Sequence, residues 1–217
     1  MSQAQRHFVP AAGSDWLLPL YDPFTRLMGA QSALRQLVEQ AGLAAGQRVL
    51  DLGCGTGSLC LAAARSRPGL EIVGLDPDPK ALARARRKAE RAGVALELRQ
   101  GFGDALPFAD ASFDRVLSSF MFHHLESDQK PGVLREIRRV LRPHGSLHLL
   151  DFGGAGHGLG AFLARLVHRE ESLRANAQDG LVALMREAGF ADAAETEQRG
   201  SLFGALSYYR AAPARGD

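Results

Sequence analysis

The residues best placed to do chemistry follow an apolar run near position 50. Val49 and Leu50 lead into Asp51 and then into a loop with glycine at positions 53, 55 and 57. Glycine adopts positive φ angles easily and lets a ligand approach the main chain closely. In open α/β sheets, such a loop at the carboxyl end of a strand is where nucleotide-like ligands bind. The pattern therefore predicts a site of this kind at residues 51–57.

A second carboxylate follows at a distance that suits a ribose. Asp76 ends the apolar run 72–75, and a carboxylate at this place can accept hydrogen bonds from two adjacent hydroxyl groups. The alternative is that the glycines form only a tight turn and that Asp76 caps the helix starting near Pro79. Both carboxylates together favour the binding site over this alternative.

The spacing of the glycines bears on which nucleotide would bind. The dinucleotide pattern is G-x-G-x-x-G/A, in which the pyrophosphate lies on a helix N-terminus. Gly53 and Gly55 fit this pattern, but its third position falls on Ser58, and Gly57 comes one residue early. The chain also lacks a Tyr-x-x-x-Lys pair. A nicotinamide-dependent oxidoreductase therefore remains as an alternative that these departures disfavour.

Further blocks follow the glycine loop in order: Gly-Asp-Ala-Leu-Pro-Phe at 103–108, Ser-Phe-Asp-Arg-Val-Leu-Ser-Ser-Phe at 112–120, and Val-Leu-Arg-Pro-His-Gly-Ser-Leu at 140–147. With residues 51–57, they resemble the class I S-adenosylmethionine-dependent methyltransferases of the methyltransferase-11 group. Within that group the chain is most similar to the ubiquinone/menaquinone-biosynthesis C-methyltransferases. Segments 21–28 and 184–190 extend the resemblance over most of the chain.

The resemblance implies an α/β protein with a three-layer, Rossmann-like methyltransferase fold. Its seven-stranded sheet is mostly parallel, with the last strand antiparallel. Residues 1–217 would form one methyltransferase domain, with residues 1–42 as an N-terminal helical lid segment. The implied activity is transfer of a methyl group from S-adenosylmethionine to an oxygen, nitrogen or carbon atom of a small molecule. A module that binds this cofactor without turnover is a further alternative.

The resemblance also assigns roles to individual residues. It places Asp51 at the methionine end of the cofactor, Asp76 at the ribose and Asp104 at the adenine amino group. Asp104 could instead be an ordinary turn acid, and Tyr21 could be a hydrophobic anchor rather than part of the lid. The full set of expected cofactor contacts is Tyr21, Asp51, Gly53, Cys54, Gly55, Asp76, Pro77, Asp104, Ala105, Leu106, Ser119 and Phe120.

Two adjacent histidines follow the fourth expected strand at its cofactor end. His123 and His124 are the candidates for a catalytic base, because histidine titrates near neutral pH. The alternative is that one or both serve packing or cap the next loop. No spaced acid or cysteine completes a metal-binding set with them, so no metal is expected.

Composition narrows the remaining possibilities. The chain has 217 residues and a formal net charge of +2, which gives no electrostatic case for nucleic acid. No apolar run reaches the length needed to span a bilayer. Cys54 and Cys60 are expected to be buried thiols without a disulfide, so a cytoplasmic location is the default. The oligomeric state, monomer or homodimer, stays open.

Behind these residues, the hydrophobic pattern alternates between strands and helices, which predicts a parallel sheet covered on both faces. The basic outer face of the helix at 80–92 is interpreted as solvated rather than as a nucleic-acid patch.

The glycine-rich stretch after Asp151 is expected to border the acceptor pocket, and it is shorter than in the quinone methyltransferases, which counts against a quinone acceptor. The expected strands are 47–52, 71–76, 95–100, 114–119, 145–151, 192–198 and 202–210; the expected helices are 24–41, 80–92, 131–141, 161–175 and 178–188.

Overall fold

The computed structural model describes residues 30–153, 178–201 and 204–214. Strands and helices alternate over most of the first of these ranges, as the sequence pattern predicted, but no helix separates the strands at 97–100 and 113–119. The helices are α1 (Ala30–Ala41), α2 (Ser58–Ser66), α3 (Pro79–Ala92), α4 (Lys130–Val140) and α5 (Gln178–Glu187), with a 3₁₀ turn at Phe122–His124. The strands are β1 (Arg48–Leu52), β2 (Glu71–Asp76), β3 (Glu97–Gln100), β4 (Phe113–Ser119), β5 (Leu141–Phe152), β6 (Phe190–Ser201) and β7 (Gly204–Pro213).

The seven described strands form one sheet in the order β3-β2-β1-β4-β5-β7-β6. Strands β1 to β5 pair in parallel, whereas β7 runs antiparallel to both β5 and β6. The predicted seven-stranded, mostly parallel sheet with an antiparallel last strand is confirmed. The strand order reverses between β1 and β4, and a crevice opens at the carboxyl ends of the strands at such a reversal.

Helices cover both faces of the sheet, which gives the expected three layers. One face packs against α4 and α5 through residues such as Ile137 and Met185. The other packs against α1, α2 and α3 through residues such as Leu37, Cys60 and Leu82. Each helix carries its apolar residues on one stripe, so it can bury that stripe against the sheet and leave its charged face outside.

The start of α3 decides one alternative left open by the sequence. Asp78, not Asp76, is the N-cap residue, and its side chain accepts a hydrogen bond from the amide of Lys80. Pro79 follows at the first turn, where no amide hydrogen is required, and Gly93 ends the helix in the left-handed conformation. Asp76 is therefore not used as the helix cap.

Several expectations fall outside the described residues. They are Tyr21, most of the expected lid at 1–42, the helix at 161–175 and the glycine-rich stretch beyond Gly153. Within the described ranges, α1 is the part of the expected lid segment that can be placed, and no helix there is long and apolar enough to cross a membrane.

Candidate active site

A cavity of about 670 Å³ lies at the carboxyl ends of β1, β2 and β4. Its wall is formed by the loops that follow these strands, together with the loop at 101–104 and the N-terminal turn of α4. This volume falls within the usual range for sites that bind small molecules and cofactors. Most of the residues singled out from the sequence meet at this wall.

The glycine loop presents main chain to the cavity. Gly53, Gly55 and Gly57 all have positive φ angles, of 73°, 50° and 76°. A Cβ atom on Gly53 would lie 2.5 Å from Cγ of Met121, whereas a Cβ atom on Gly55 would meet no described residue within 4 Å. Gly53 is therefore required by packing, and Gly55 faces open space that a ligand can occupy.

Asp76 ties the end of β2 to the glycine loop. Its Oδ2 accepts a hydrogen bond from the amide of Gly55 at 2.8 Å, and its Oδ1 accepts one from the amide of Asp78 at 2.9 Å. Burial raises the pKa of this carboxyl group, and the two amide donors partly oppose the rise. Each carboxylate oxygen can accept more than one hydrogen bond, so Asp76, which lines the cavity, can still receive hydroxyl groups from a ligand.

Asp51 lies behind the cavity wall rather than in it. Its Oδ2 accepts hydrogen bonds from the amide and the thiol of Cys60, both at 3.1 Å. Its Oδ1 is buried and has no hydrogen-bond partner among the described residues. Burial raises the pKa of Asp51 to about 7, against the opposing effect of the Cys60 hydrogen bonds. A buried oxygen without a partner is rare in proteins, and a cationic group brought nearby would stabilise the charged form.

The loop after β3 supports only part of the expected adenine site. Asp104 lines the cavity, but Ala105 and Leu106 do not. The amide of Leu106 donates to Oε2 of Glu136 at 2.7 Å, and Arg139 donates to that same oxygen at 2.8 Å. The Leu106 amide therefore ties this loop to α4.

The end of β4 contributes the other side of the cavity. Ser119 and Phe120 line it, as expected, and so does Met121. The amide of Phe120 donates to the carbonyl oxygen of Leu150 on β5 at 2.9 Å. The chain then turns into the 3₁₀ segment that carries the two histidines.

The two histidines occupy different environments. His124 lines the cavity, whereas His123 is buried behind it. Nδ1 of His123 lies 2.7 Å from Oδ1 of Asp151, and the His123 amide donates to Oδ2 of the same carboxylate at 3.0 Å. Burial acts to raise the pKa of Asp151, but the His123 charge and hydrogen bonds outweigh it and lower that pKa. The two imidazole rings lie 3.9 Å apart at 43°, so His123 supports His124 from behind.

The carboxylates among the described lining residues make this wall of the cavity acidic. Four carboxylates are among the described residues that line it, at Asp76, Asp78, Asp104 and Glu126, and none of these lining residues is a lysine or an arginine. The ammonium group of Lys88 approaches from α3 and donates to the hydroxyl groups of Thr56 and Ser58. The described wall therefore suits a ligand with positive charge better than one with a pyrophosphate.

Some members of the site were not identified from the sequence. From the sequence, Asp151 is only an acid at the end of a strand. Its role, which is to hold His123, appears only in the structure, because the two residues lie 28 positions apart in the chain. A buried acid at the carboxyl end of β5 was the available signal. Met121, Glu126 and Gln129 line the cavity but carry no sequence pattern that distinguishes them from loop residues.

Comparison with known proteins supports the resemblance drawn from the sequence. Residues 49–145 match a family model described as a methyltransferase domain. The chain is 40% identical over 139 residues to a demethylmenaquinone methyltransferase of Thermus thermophilus, which covers 63% of this chain and 62% of that protein. It is 36% identical over 153 residues to a demethylmenaquinone methyltransferase of Deinococcus radiodurans, which covers 69% of this chain and 63% of that protein. The matched region thus spans less than two thirds of either relative.

A solved structure agrees on the fold. The crystal structure of a SAM dependent methyltransferase from Aquifex aeolicus superposes with a TM-score of 0.66 and covers 82% of this chain and 88% of that one. The two sequences are 18% identical, so this likeness concerns the Rossmann-like architecture. The predicted fold is confirmed by the described sheet and by this superposition.

Proposed function

We propose that this protein transfers the methyl group of S-adenosylmethionine to a small-molecule acceptor, because residues 49–145 match a family model described as a methyltransferase domain. The observation that carries the proposal is the acidic cavity at the ends of β1, β2 and β4, with the bare main chain of Gly55 on one side and Asp76 beside it. The relatives' names support the same reaction class.

The described residues fit the cofactor in charge and in shape. S-adenosylmethionine has a sulfonium and an ammonium group against a single carboxylate, and it contains no phosphate. A wall with four carboxylates attracts such a ligand. We assign the buried oxygen of Asp51 to the positive charge of the cofactor and Asp76 to the ribose hydroxyl groups. Asp104, which lines the cavity, is assigned to the adenine amino group.

The protein's part in the reaction is positioning and proton removal. Bound S-adenosylmethionine would supply a methyl group that is already activated by its positively charged sulfur. The glycine loop and Asp76 hold one reactant against the wall, and the residues at the end of β4 hold the other and exclude water. Fixing two reactants in this way can contribute a large share of a rate enhancement.

We assign the proton transfer to His124. It lines the cavity, and its ring lies against that of His123. The His123–Asp151 pair fixes the 3₁₀ turn through two hydrogen bonds, so His123 acts as a positioning residue. An acceptor that must lose a proton would give it to His124.

The charge of the wall also bears on the two alternatives. A nicotinamide dinucleotide would bring its pyrophosphate against carboxylates, which is unfavourable. A module without turnover would have the acceptor side of the cavity filled by side chains, but the cavity extends past Gly55 to Phe120 and His124. We further propose a reducing, cytoplasmic setting, because Cys54 and Cys60 are both free thiols.

Calorimetric titration with S-adenosylhomocysteine, the demethylated product, tests the cofactor assignment. Gly55→Ala should lower the affinity at least tenfold, since its Cβ atom enters the ligand space. Gly42→Ala is the matched control, because Gly42 has a φ of 56° and a Cβ atom added there would meet nothing within 4 Å. Both variants carry similar backbone strain. Equal affinity of Gly55→Ala and wild type, or tighter binding of reduced nicotinamide dinucleotide in a parallel fluorescence titration, would overturn the proposal.

A further inference from the structure

Phe120 has a backbone conformation that aromatic residues rarely adopt. Its φ angle is 54°, and among the described residues only Ala111, at 51°, is another non-glycine residue with a positive φ. A bulky side chain in this region costs free energy because its Cβ atom crowds the main chain. Such outliers persist where the surrounding structure holds them in place, and they cluster at functional sites.

The left-handed turn at Phe120 has two structural consequences. It ends β4 while keeping the Phe120 amide bonded to Leu150 on β5, and it leaves the half-buried ring on the cavity wall. The ring rests on Phe152, with centroids 5.3 Å apart, and Phe152 in turn meets the edge of His123 at 5.0 Å. The Phe120 ring is thereby fixed on the same scaffold that holds His124.

The sequence grouped Phe120 with the cofactor contacts, but its place in the cavity favours the acceptor instead. Asp76 and Gly55 form the β2 side of the cavity, whereas Phe120, Met121 and His124 form the side that follows β4. On this second side the described wall combines an aromatic face, a thioether and an imidazole. Aromatic faces bind flat rings by offset stacking, which contributes beyond the area they bury.

We propose that Phe120 is a specificity-determining residue and that its ring forms the wall of an acceptor subsite for a flat ring next to His124. This inference rests on the proposed function, because it takes the β2 side of the cavity to be filled by the cofactor. The strained backbone is the means by which the chain holds the half-buried ring at the acceptor subsite.

The first test concerns the backbone. Phe120→Ala and Phe120→Gly both remove the ring, but only glycine relieves the positive φ angle. Glycine is normally less stabilising than alanine, so strain predicts the reverse order, with a higher unfolding temperature for Phe120→Gly than for Phe120→Ala. Ala111→Gly is the control, because Ala111 precedes β4 at the end of the strand opposite the cavity; this variant should raise the unfolding temperature without changing ligand binding. If Phe120→Ala is the more stable of the two variants, the argument from strain is wrong.

The second test concerns the ligand. The protein is saturated with S-adenosylhomocysteine and titrated with 2-naphthol or with its saturated analogue, decahydro-2-naphthol. Wild type should prefer the flat probe, and Phe120→Leu should reduce that preference roughly three- to tenfold while leaving the affinity for S-adenosylhomocysteine within twofold. An unchanged preference in Phe120→Leu, or an equal loss of affinity for S-adenosylhomocysteine, would overturn the inference. Failure of wild type to bind S-adenosylhomocysteine at all would instead refute the proposed function on which it rests.

Discussion

Replacement of Asp76 by asparagine tests the ribose contact with little change of shape. In the structure, both carboxylate oxygens accept hydrogen bonds from main-chain amides, those of Gly55 and Asp78. An amide side chain has only one acceptor oxygen, so its NH₂ group must face one of these two N–H donors. Asp76→Asn therefore loses at least one loop contact and at least one acceptor for the ribose.

The magnitude follows from the number of bonds at stake. A hydrogen bond to a charged acceptor contributes about 1.5–3 kcal/mol. Loss of one such bond to the ribose corresponds to a decrease in affinity of roughly tenfold to a hundredfold, since about 1.4 kcal/mol is tenfold. The affinity for S-adenosylhomocysteine should fall by this factor, and stability should fall as well because the glycine loop loses a tether.

Isothermal titration calorimetry measures the change in affinity, and urea unfolding measures the change in stability. The matching substitution of a carboxylate outside the cavity serves as the control. Asp114 also accepts a main-chain amide, that of Arg48 at 2.8 Å, and it accepts from Arg142 at 2.6 Å. It lies at the start of β4, at the opposite end of the strand from the cavity. Asp114→Asn should lower stability and leave the affinity within twofold. If Asp76→Asn binds S-adenosylhomocysteine as wild type does, Asp76 only braces the loop, and the ribose assignment is refuted.

Three further predictions concern other residues of the site. In the folded protein Asp51 stays protonated up to about pH 7, whereas its ordinary pKa is 3.8, so this carboxyl group lowers stability as the pH rises through that window. Urea unfolding should show the stability of Asp51→Asn, relative to wild type, increasing between pH 4 and pH 8 by up to about 4 kcal/mol. A difference that stays constant with pH would contradict the raised pKa. His124→Gln should lower the rate of labelled methyl transfer to 2-naphthol by about a hundredfold without changing the affinity for S-adenosylhomocysteine. His123→Gln should mainly lower the unfolding temperature, since it weakens the hydrogen bonding of buried Asp151. Similar rate losses with unchanged stability in both variants would argue against this division of roles. Gly53→Ala should destabilise the protein more than Gly55→Ala, because only the Cβ atom added at Gly53 meets Met121. In a double variant, Met121→Ala should recover part of the stability lost in Gly53→Ala. If the losses of the two single variants simply add, the contact does not matter.

Local patterns made much of the site predictable. Asp51 and Asp76 each follow a short apolar run, and the period of such runs identifies strands without reference to the rest of the chain. The glycines between Asp51 and Ser58 mark a turn that needs positive φ angles, which glycine adopts without strain, and all three have positive φ angles in the structure. The antiparallel direction of β7, in contrast, was implied by the family resemblance and not by any local pattern.

The choice between neighbouring residues was not predictable. His123 and His124 are chemically the same, yet the 3₁₀ turn directs one toward Asp151 and the other into the cavity. Asp76 was a plausible helix cap from the sequence, but its side chain accepts the Gly55 amide and Asp78 is the N-cap residue. The main chain of Ala105 and Leu106 was expected next to the adenine, and the contact of the Leu106 amide with Glu136, from a helix 30 residues further on, was not foreseen.

The sequence by itself determined the alternation of strands and helices, the glycine loop and the acids at the strand ends, because these depend on the period of apolar residues and on the conformational freedom of single residues. Only the tertiary structure decided which of these groups face the cavity, because that depends on contacts between residues far apart in the chain. Three such features are the buried oxygen of Asp51, which has no hydrogen-bond partner in the described part of the chain, the His123–Asp151 pair and the strained Phe120. All three arise where separate strands end side by side, and no local pattern predicts which strands are neighbours.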